Sequence, residues 1–244
     1  MNAPARAAAP EEPSIDASAP CTACGRAVGE HAWIVAGGRG VYCDSCMAHS
    51  TPCSACGAPC RTVVVRDGRV FCPECAASLV TDSSTVDGIY RDLVAAASER
   101  LGLSLSKRPP LLLESLATLR RDAGPETPET LCGLCTRDGK GGSTIRVLVP
   151  LPRARLVAVL GHELGHAWQA ETCPDAQGIR LREGFAEWVS WHLLAGREGG
   201  ETERNVIQKR TDAYGQGFRL FTSLEKRGGS GSVLRYARAA RDST

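Results

Sequence analysis

The sequence predicts an α+β protein in two parts, a small double zinc module followed by a larger domain built around a His-Glu-X-X-His helix. Three observations carry that expectation. Eight of the twelve cysteines fall into four Cys-X2-Cys pairs: Cys21/Cys24, Cys43/Cys46, Cys53/Cys56 and Cys72/Cys75. Residues 162–166 read His162-Glu163-Leu164-Gly165-His166. Seventeen positions past His166 comes Glu183-Gly184-Phe185-Ala186-Glu187-Trp188.

Composition sets the frame. At 244 residues, 43% of them hydrophobic, the chain has room for one sizeable domain and a small one, although its 5% of aromatics is thin. A net charge of +2 gives no general attraction to nucleic acid or membrane, and the Arg and Lys excess after Arg204 reads as a solvated face. No stretch approaches the roughly 18 uninterrupted apolar residues of a membrane span. Residues 1–20 are rich in Ala, Pro and Glu without an apolar h-region, so they read as a disordered tail rather than a signal peptide. The expectation is a soluble, cytoplasmic protein whose thiols serve as metal ligands rather than disulfides.

Residues 21–80 form the module. Cys21-Thr22-Ala23-Cys24-Gly25 matches Cys53-Ser54-Ala55-Cys56-Gly57, and Gly40-Val41-Tyr42-Cys43-Asp44-Ser45-Cys46 matches Arg69-Val70-Phe71-Cys72-Pro73-Glu74-Cys75. Each unit therefore reads as a knuckle, a short hairpin turning at Gly37-Gly38-Arg39-Gly40 or Arg66-Asp67-Gly68-Arg69, and a second knuckle. Four thiolates satisfy tetrahedral zinc and leave no open position, so two structural ions are expected, with sequential pairing of the cysteines. Units this small cannot bury enough apolar surface to fold alone, and the metal supplies the missing free energy. His49 is a candidate to replace one thiol, but the repeat aligns without His31, His49 or Cys60.

Residues 81–244 form the second domain. Ser84 and Asp87 fit a capping box for a helix in which Ile89, Leu93 and Ala96 recur up to Gly102. Leu111-Leu112-Leu113 reads as a buried strand, 115–121 as a helix, and 122–143 as a long loop. Cys132 and Cys135 make a fifth pair in that loop with no partner pair nearby. With Cys173 they are either a further metal site or ordinary small buried residues, the plainer reading. Thr144 to Val149 alternates as a strand, placed as an edge strand that holds a substrate backbone by strand addition.

Leu156 to Ala170 then forms the central helix. Positions i and i+4 share a face, so His162 and His166 can bind one metal ion, with Glu163 beside them as the base that takes a proton from activated water. Glu183 opens a second helix with Trp188 and Trp191 as core, and is assigned as third ligand. Glu187, one turn on, would accept a hydrogen bond from a ligand histidine; the reverse assignment of the two glutamates is the alternative. Two neutral histidines and one carboxylate leave zinc open to water, the ligand set of a metallopeptidase. Tyr214, in Asp212-Ala213-Tyr214-Gly215-Gln216-Gly217-Phe218-Arg219, is the candidate oxyanion donor, with His192 its rival and plain core packing the alternative.

Several ordered segments together resemble a known family, the LIM-domain peptidases known from plants as regulators of organ size, here called the DA-one family. They are Gly133-Leu134-Cys135, Leu148-Val149-Pro150-Leu151-Pro152-Arg153, the helix from His162 to Trp168, Glu183-Gly184, and Ala213 to Arg219. The resemblance implies a gluzincin-like peptidase domain behind a LIM-like, treble-clef zinc module. It also implies limited proteolysis of protein substrates and a link to ubiquitin. Two features depart from the family. Cys43 stands where a LIM histidine would, and no acidic ubiquitin-interacting helix precedes the module, so ubiquitin dependence does not carry over.

The leading expectation is thus a zinc metalloendopeptidase with one catalytic and two structural zinc ions. Its partners would be protein or peptide substrates and a regulatory protein held by the module. The loop and module are further expected to cover the cleft until a partner binds. The competing reading is a catalytically silent zinc scaffold that binds proteins. A nucleic-acid-binding zinc protein is disfavoured by the near-neutral charge.

Overall fold

Each half of the cysteine repeat folds to the same plan in the computed structural model, which describes residues 15–35, 40–123, 131–137, 142–175 and 177–241. In the first half, β1 (Ala32–Ile34) pairs with β2 (Val41–Cys43) and leads into helix α1 (Asp44–His49). After β3 (Thr51–Pro52) and β4 (Pro59–Cys60) pair, the plan repeats as β5 (Val64–Arg66), β6 (Arg69–Phe71) and α2 (Pro73–Ala77). Gly25 and Gly57 follow the knuckles at φ +74°, and their N–H groups close onto the Cys21 and Cys53 carbonyls at 2.7 and 2.8 Å. The β5–β6 turn runs through Asp67 and Gly68, both at positive φ, as an Asp-Gly hairpin turn requires. The 37–39 part of the other turn lies outside the described residues.

Two expectations change here. The second cysteine pair of each unit is not a knuckle: Cys43 and Cys72 are helix N-caps, and Cys46 and Cys75 come from the first turn of the helix. Pro73 suits that position because its missing N–H would have no helical partner, and the Cys72 sulfur accepts the Cys75 N–H. Residues 15–20, assigned to the disordered tail, pack on the first unit. The Val28 N–H donates to the Ala19 carbonyl at 2.9 Å, and Pro20 bridges Ala27. The rest of that tail lies outside the described residues.

The module ends in β7 (Leu79–Val80), and the second domain runs α3 (Ser83–Leu101), β8 (Leu111–Glu114), α4 (Leu116–Ala123), β9 (Gly133–Arg137), β10 (Ser143–Leu148) and β11 (Leu151–Pro152). Four helices follow: α5 (Arg153–Thr172), α6 (Ile179–Leu194), α7 (Gly200–Lys209) and α8 (Ala213–Ala239), whose backbone leaves helical values at Gly228 and Gly229. The α3 cap is Asp82, accepting the Thr85 N–H at 2.7 Å, in place of the Ser84–Asp87 box; Asp87 instead pairs with Arg91. The sheet order is β8–β10–β9, parallel then antiparallel. The strand read at Thr144 to Val149 is therefore central. Its edge neighbour β9 arises inside the segment read as a long loop, where Leu134, Cys135 and Thr136 supply a short pairing run opposite Thr144 to Arg146.

Helices α5, α6 and α8 form the core together with α3 and β10. Trp168, Phe185, Trp188 and Phe221 are fully buried, with Phe185 within 5.0–5.8 Å of the other three ring centroids; Trp191 is only partly buried. Glycines set the helix spacing. A Cβ on Gly165 would stand 2.8 Å from the Ala186 Cα, and one on Gly184 would stand 2.3 Å from the Gly217 Cα.

The module is joined to this domain through a shared ladder, β7 with β11, and through Arg69. That guanidinium, 8% exposed, grips Asp67 with two bonds and donates to the Pro150 carbonyl at 2.6 Å. Among the described residues, no helix is long and apolar enough to cross a membrane.

Gly184→Ala should destabilise the fold by about 1–3 kcal/mol, because α6 and α8 would have to part. Gly88→Ala, on α3 with no neighbouring atom within 4 Å, should instead gain about 0.5–1 kcal/mol. Urea unfolding of the two variants checks both signs, and a stabilised Gly184→Ala would refute the packing argument.

Candidate metal centres

Zinc–thiolate bonds of about 2.3 Å place tetrahedral ligands about 3.8 Å apart. The Cys24 and Cys43 sulfurs lie 3.8 Å apart, and the Cys56 and Cys72 sulfurs 4.0 Å apart. Within each quartet, Cys21/Cys24/Cys43/Cys46 and Cys53/Cys56/Cys72/Cys75, all sulfurs fall within 4.8 Å of one another. These separations suit a shared ion and are far too long for a disulfide of about 2.05 Å. The hydrogen bonding repeats as well: the Cys43 N–H donates to the Cys21 sulfur and the Cys72 N–H to the Cys53 sulfur, both at 3.4 Å. His49 takes no part, its Nδ1 lying 3.0 Å from the Ser45 carbonyl. Cys60 donates to the Ala58 carbonyl, and burial pushes its thiol up to about 11. Both quartets are all-cysteine and have the composition and spacing to bind structural zinc.

A third cluster forms between α5 and α6. The Nε2 atoms of His162 and His166 are 3.0 Å apart, and the Glu183 Oε2 lies 3.2 and 3.3 Å from them. Three basic atoms with these spacings match the roughly 3.3 Å tetrahedral edge of ligands about 2.0–2.1 Å from zinc. A single proton can join only one pair of them, whereas a cation satisfies all three. Glu163, Glu183 and Glu187 are each 6% exposed, so the pocket is strongly acidic. Burial disfavours charge on His162, but its bond to Glu183 and the nearby Glu187 and Glu163 charges prevail and lift its pKa to about 9. Burial pulls Glu183 upward, yet its two histidine partners hold it well below the ordinary carboxylate range. The donor set and its charge fit a divalent metal.

Glu163 follows His162 on α5 and is kept above its usual pKa chiefly by burial, with the two histidines opposing. Gly133 leaves it room: a Cβ there would stand 2.8 Å from the Glu163 Oε1. Tyr214, in the first turn of α8, stacks near His162 with ring centroids 6.2 Å apart. Burial together with the nearby Glu183 charge raises the pKa of its hydroxyl to about 12, so it remains a donor. His192 points away from the cluster and bonds Glu225 at 2.9 Å.

Glu187 does not take the expected hydrogen bond from a histidine. Its Oε1 accepts from Arg210 at 3.0 Å, while the His166 Nδ1 meets the Gln169 Oε1 at 3.0 Å. Arg210 also grips Asp212 and stacks over Tyr214 at 4.1 Å, fixing the start of α8. Nothing in the sequence pattern singles out Arg210. Gln169 was legible in principle, three residues past His166 on the same helical face.

Clefts of about 500 and 420 Å³ flank the cluster, sharing His162, Glu163, Gly133 and Tyr214. Among the described residues, all that line the clefts come from position 131 onward: none belongs to the module, whereas Leu131 and Gly133 of the expected covering loop line both. Cys135 and Cys173 line the larger and Cys132 the smaller; among the described residues these three form no metal-holding group.

The chain is similar to Protein DA1 of Arabidopsis thaliana, 27% identical over 220 residues that cover 71% of this chain and 40% of that protein. It thus spans about two fifths of that relative's length, and the likeness supports the resemblance to the DA-one family. No protein-family model matches the chain, and no solved structure matches it.

Cys24→Ala should remove one zinc equivalent per chain, whereas His49→Ala should leave the count unchanged. Elemental mass spectrometry on protein purified without chelators distinguishes them, and zinc loss in the His49 variant would overturn the all-cysteine assignment.

Proposed function

We propose that this chain is a zinc-dependent metallopeptidase of the gluzincin type that cleaves protein or peptide substrates. The observation that carries this reading is the convergence of His162, His166 and Glu183 to within 3.3 Å, with buried Glu163 beside them and a cleft on either side. Zinc held by these three residues supplies a Lewis acid for the scissile carbonyl and makes water nucleophilic near neutral pH.

The chain's own groups do the rest. Glu163, buried beside the two histidines, takes the proton from water on its carboxylate and delivers it to the leaving amine. Its raised pKa suits a group that must both accept and release that proton. The Tyr214 hydroxyl donates to the oxyanion as the carbonyl becomes tetrahedral, and Arg210 holds the ring in place. Strand β9 lies at the sheet edge and lines both clefts, so it replaces the central strand β10 as the rail for an extended substrate backbone. Because the module docks away from both clefts, its role is to recruit or position a protein partner rather than to plug the site. A ubiquitin link rests on the family resemblance alone.

Cleavage of a denatured protein substrate tests the assignment. Glu163→Gln should keep its zinc but lose about 10²–10⁴-fold in kcat. Tyr214→Phe should lose about 10²-fold in kcat with little change in KM, and His192→Ala should change neither. A zinc-loaded wild type without cleavage of any denatured substrate would favour the silent-scaffold reading instead.

A further inference from the structure

The ring of His166 presents Nε2 to the triad, and Nδ1 faces Gln169, a side chain only 4% exposed. A glutamine amide can flip, so this contact alone does not say which group donates. Its surroundings do. The Gln169 Nε2 lies 3.1 Å from the Arg182 carbonyl, which can only accept. The NH2 end of Gln169 must therefore face Arg182, and its oxygen must face His166.

A second fixed point gives the same polarity. Gln177 donates its NH2 to the carbonyls of Ala237 and Ala240, at 2.6 and 3.1 Å, where α8 ends. That leaves the Gln177 oxygen toward the Gln169 NH2, at 3.5 Å. Read from backbone carbonyls at both ends, each amide in the chain has one permitted orientation. The final link is an oxygen acceptor against the His166 Nδ1, which must carry its proton.

We infer that Gln169 is a positioning residue that fixes His166 in the tautomer with a free lone pair on Nε2, directed at the metal. The same side chain ties α5 to the residue immediately before Glu183, so it also sets the approach of the third ligand. This inference rests on the metal-centre reading above. The work falls to Gln169 because Glu187, the carboxylate that sequence spacing offered, is engaged by Arg210.

The test compares wild type with Gln169→Met, which keeps the side-chain length without the hydrogen bonds, and Gln169→Glu, which keeps an acceptor for Nδ1. Zinc affinity at the third site is measured by chelator competition, with the cysteine-bound zinc content as the folding control. Nitrogen-15 NMR of the imidazoles reads the His166 tautomer before the third site is filled. Gln169→Met should bind about 10–100-fold more weakly and show mixed tautomers, with Gln169→Glu restoring most of the loss. Unchanged affinity and tautomer in Gln169→Met would overturn the inference while leaving the metal centre intact. A wild type that binds no third zinc would instead overturn the metal-centre reading, and the tautomer signal would then decide the role of Gln169 by itself.

Discussion

The candidate site depends on how closely α5 and α6 approach. His162 and His166 lie on one helix and Glu183 on the other, and their donor atoms meet at 3.0–3.3 Å because glycine lets the backbones come near. A side chain at Gly165 would collide with Ala186, and one at Gly161 would press on Ser190. Gly184 extends the contact to α8 through Gly217, which brings Tyr214 to the same point. The apolar core of Trp168, Phe185, Trp188 and Phe221 holds this spacing from behind. The geometry of this cluster is thus a consequence of helix packing, and rigid elements rather than loops carry it.

Charge supplies the second constraint. Three buried glutamates around two imidazoles would cost several kcal/mol each if left without compensation. Arg182 and Arg210 balance part of this, through the Glu183 Oε1 and Glu187, and leave the His162–His166–Glu183 triangle as the place for a cation. In the module the same logic concerns folding. Its core is made largely of the cysteines themselves with Tyr42 and Phe71, too little apolar surface to hold two small units without metal.

Much of this was legible because residues suited to hold a metal recur at fixed spacings. The four cysteine pairs come together as two quartets, and the histidine pair meets Glu183, in groups that could hold a metal ion. Helix α3 ends at Gly102 as read, with φ +74°. What was hidden depends on contacts between distant segments. Strand β9 lay inside a stretch rich in Gly, Pro and Thr, because its pairing is decided by β10 rather than by its own propensity. The role of Glu187 was misread because Arg210, 23 positions away, competes for it. The same holds for the second half of each cysteine unit. Local spacing could not separate a knuckle from a helix N-terminus, since both present two thiols three residues apart.

Anomalous diffraction at the zinc edge, on crystals of the protein purified without chelators, tests the account most directly. It predicts three zinc peaks, two inside the cysteine quartets and one within bonding distance of His162, His166 and Glu183. Two peaks, both in the quartets, with the triad atoms joined only by hydrogen bonds, would contradict it.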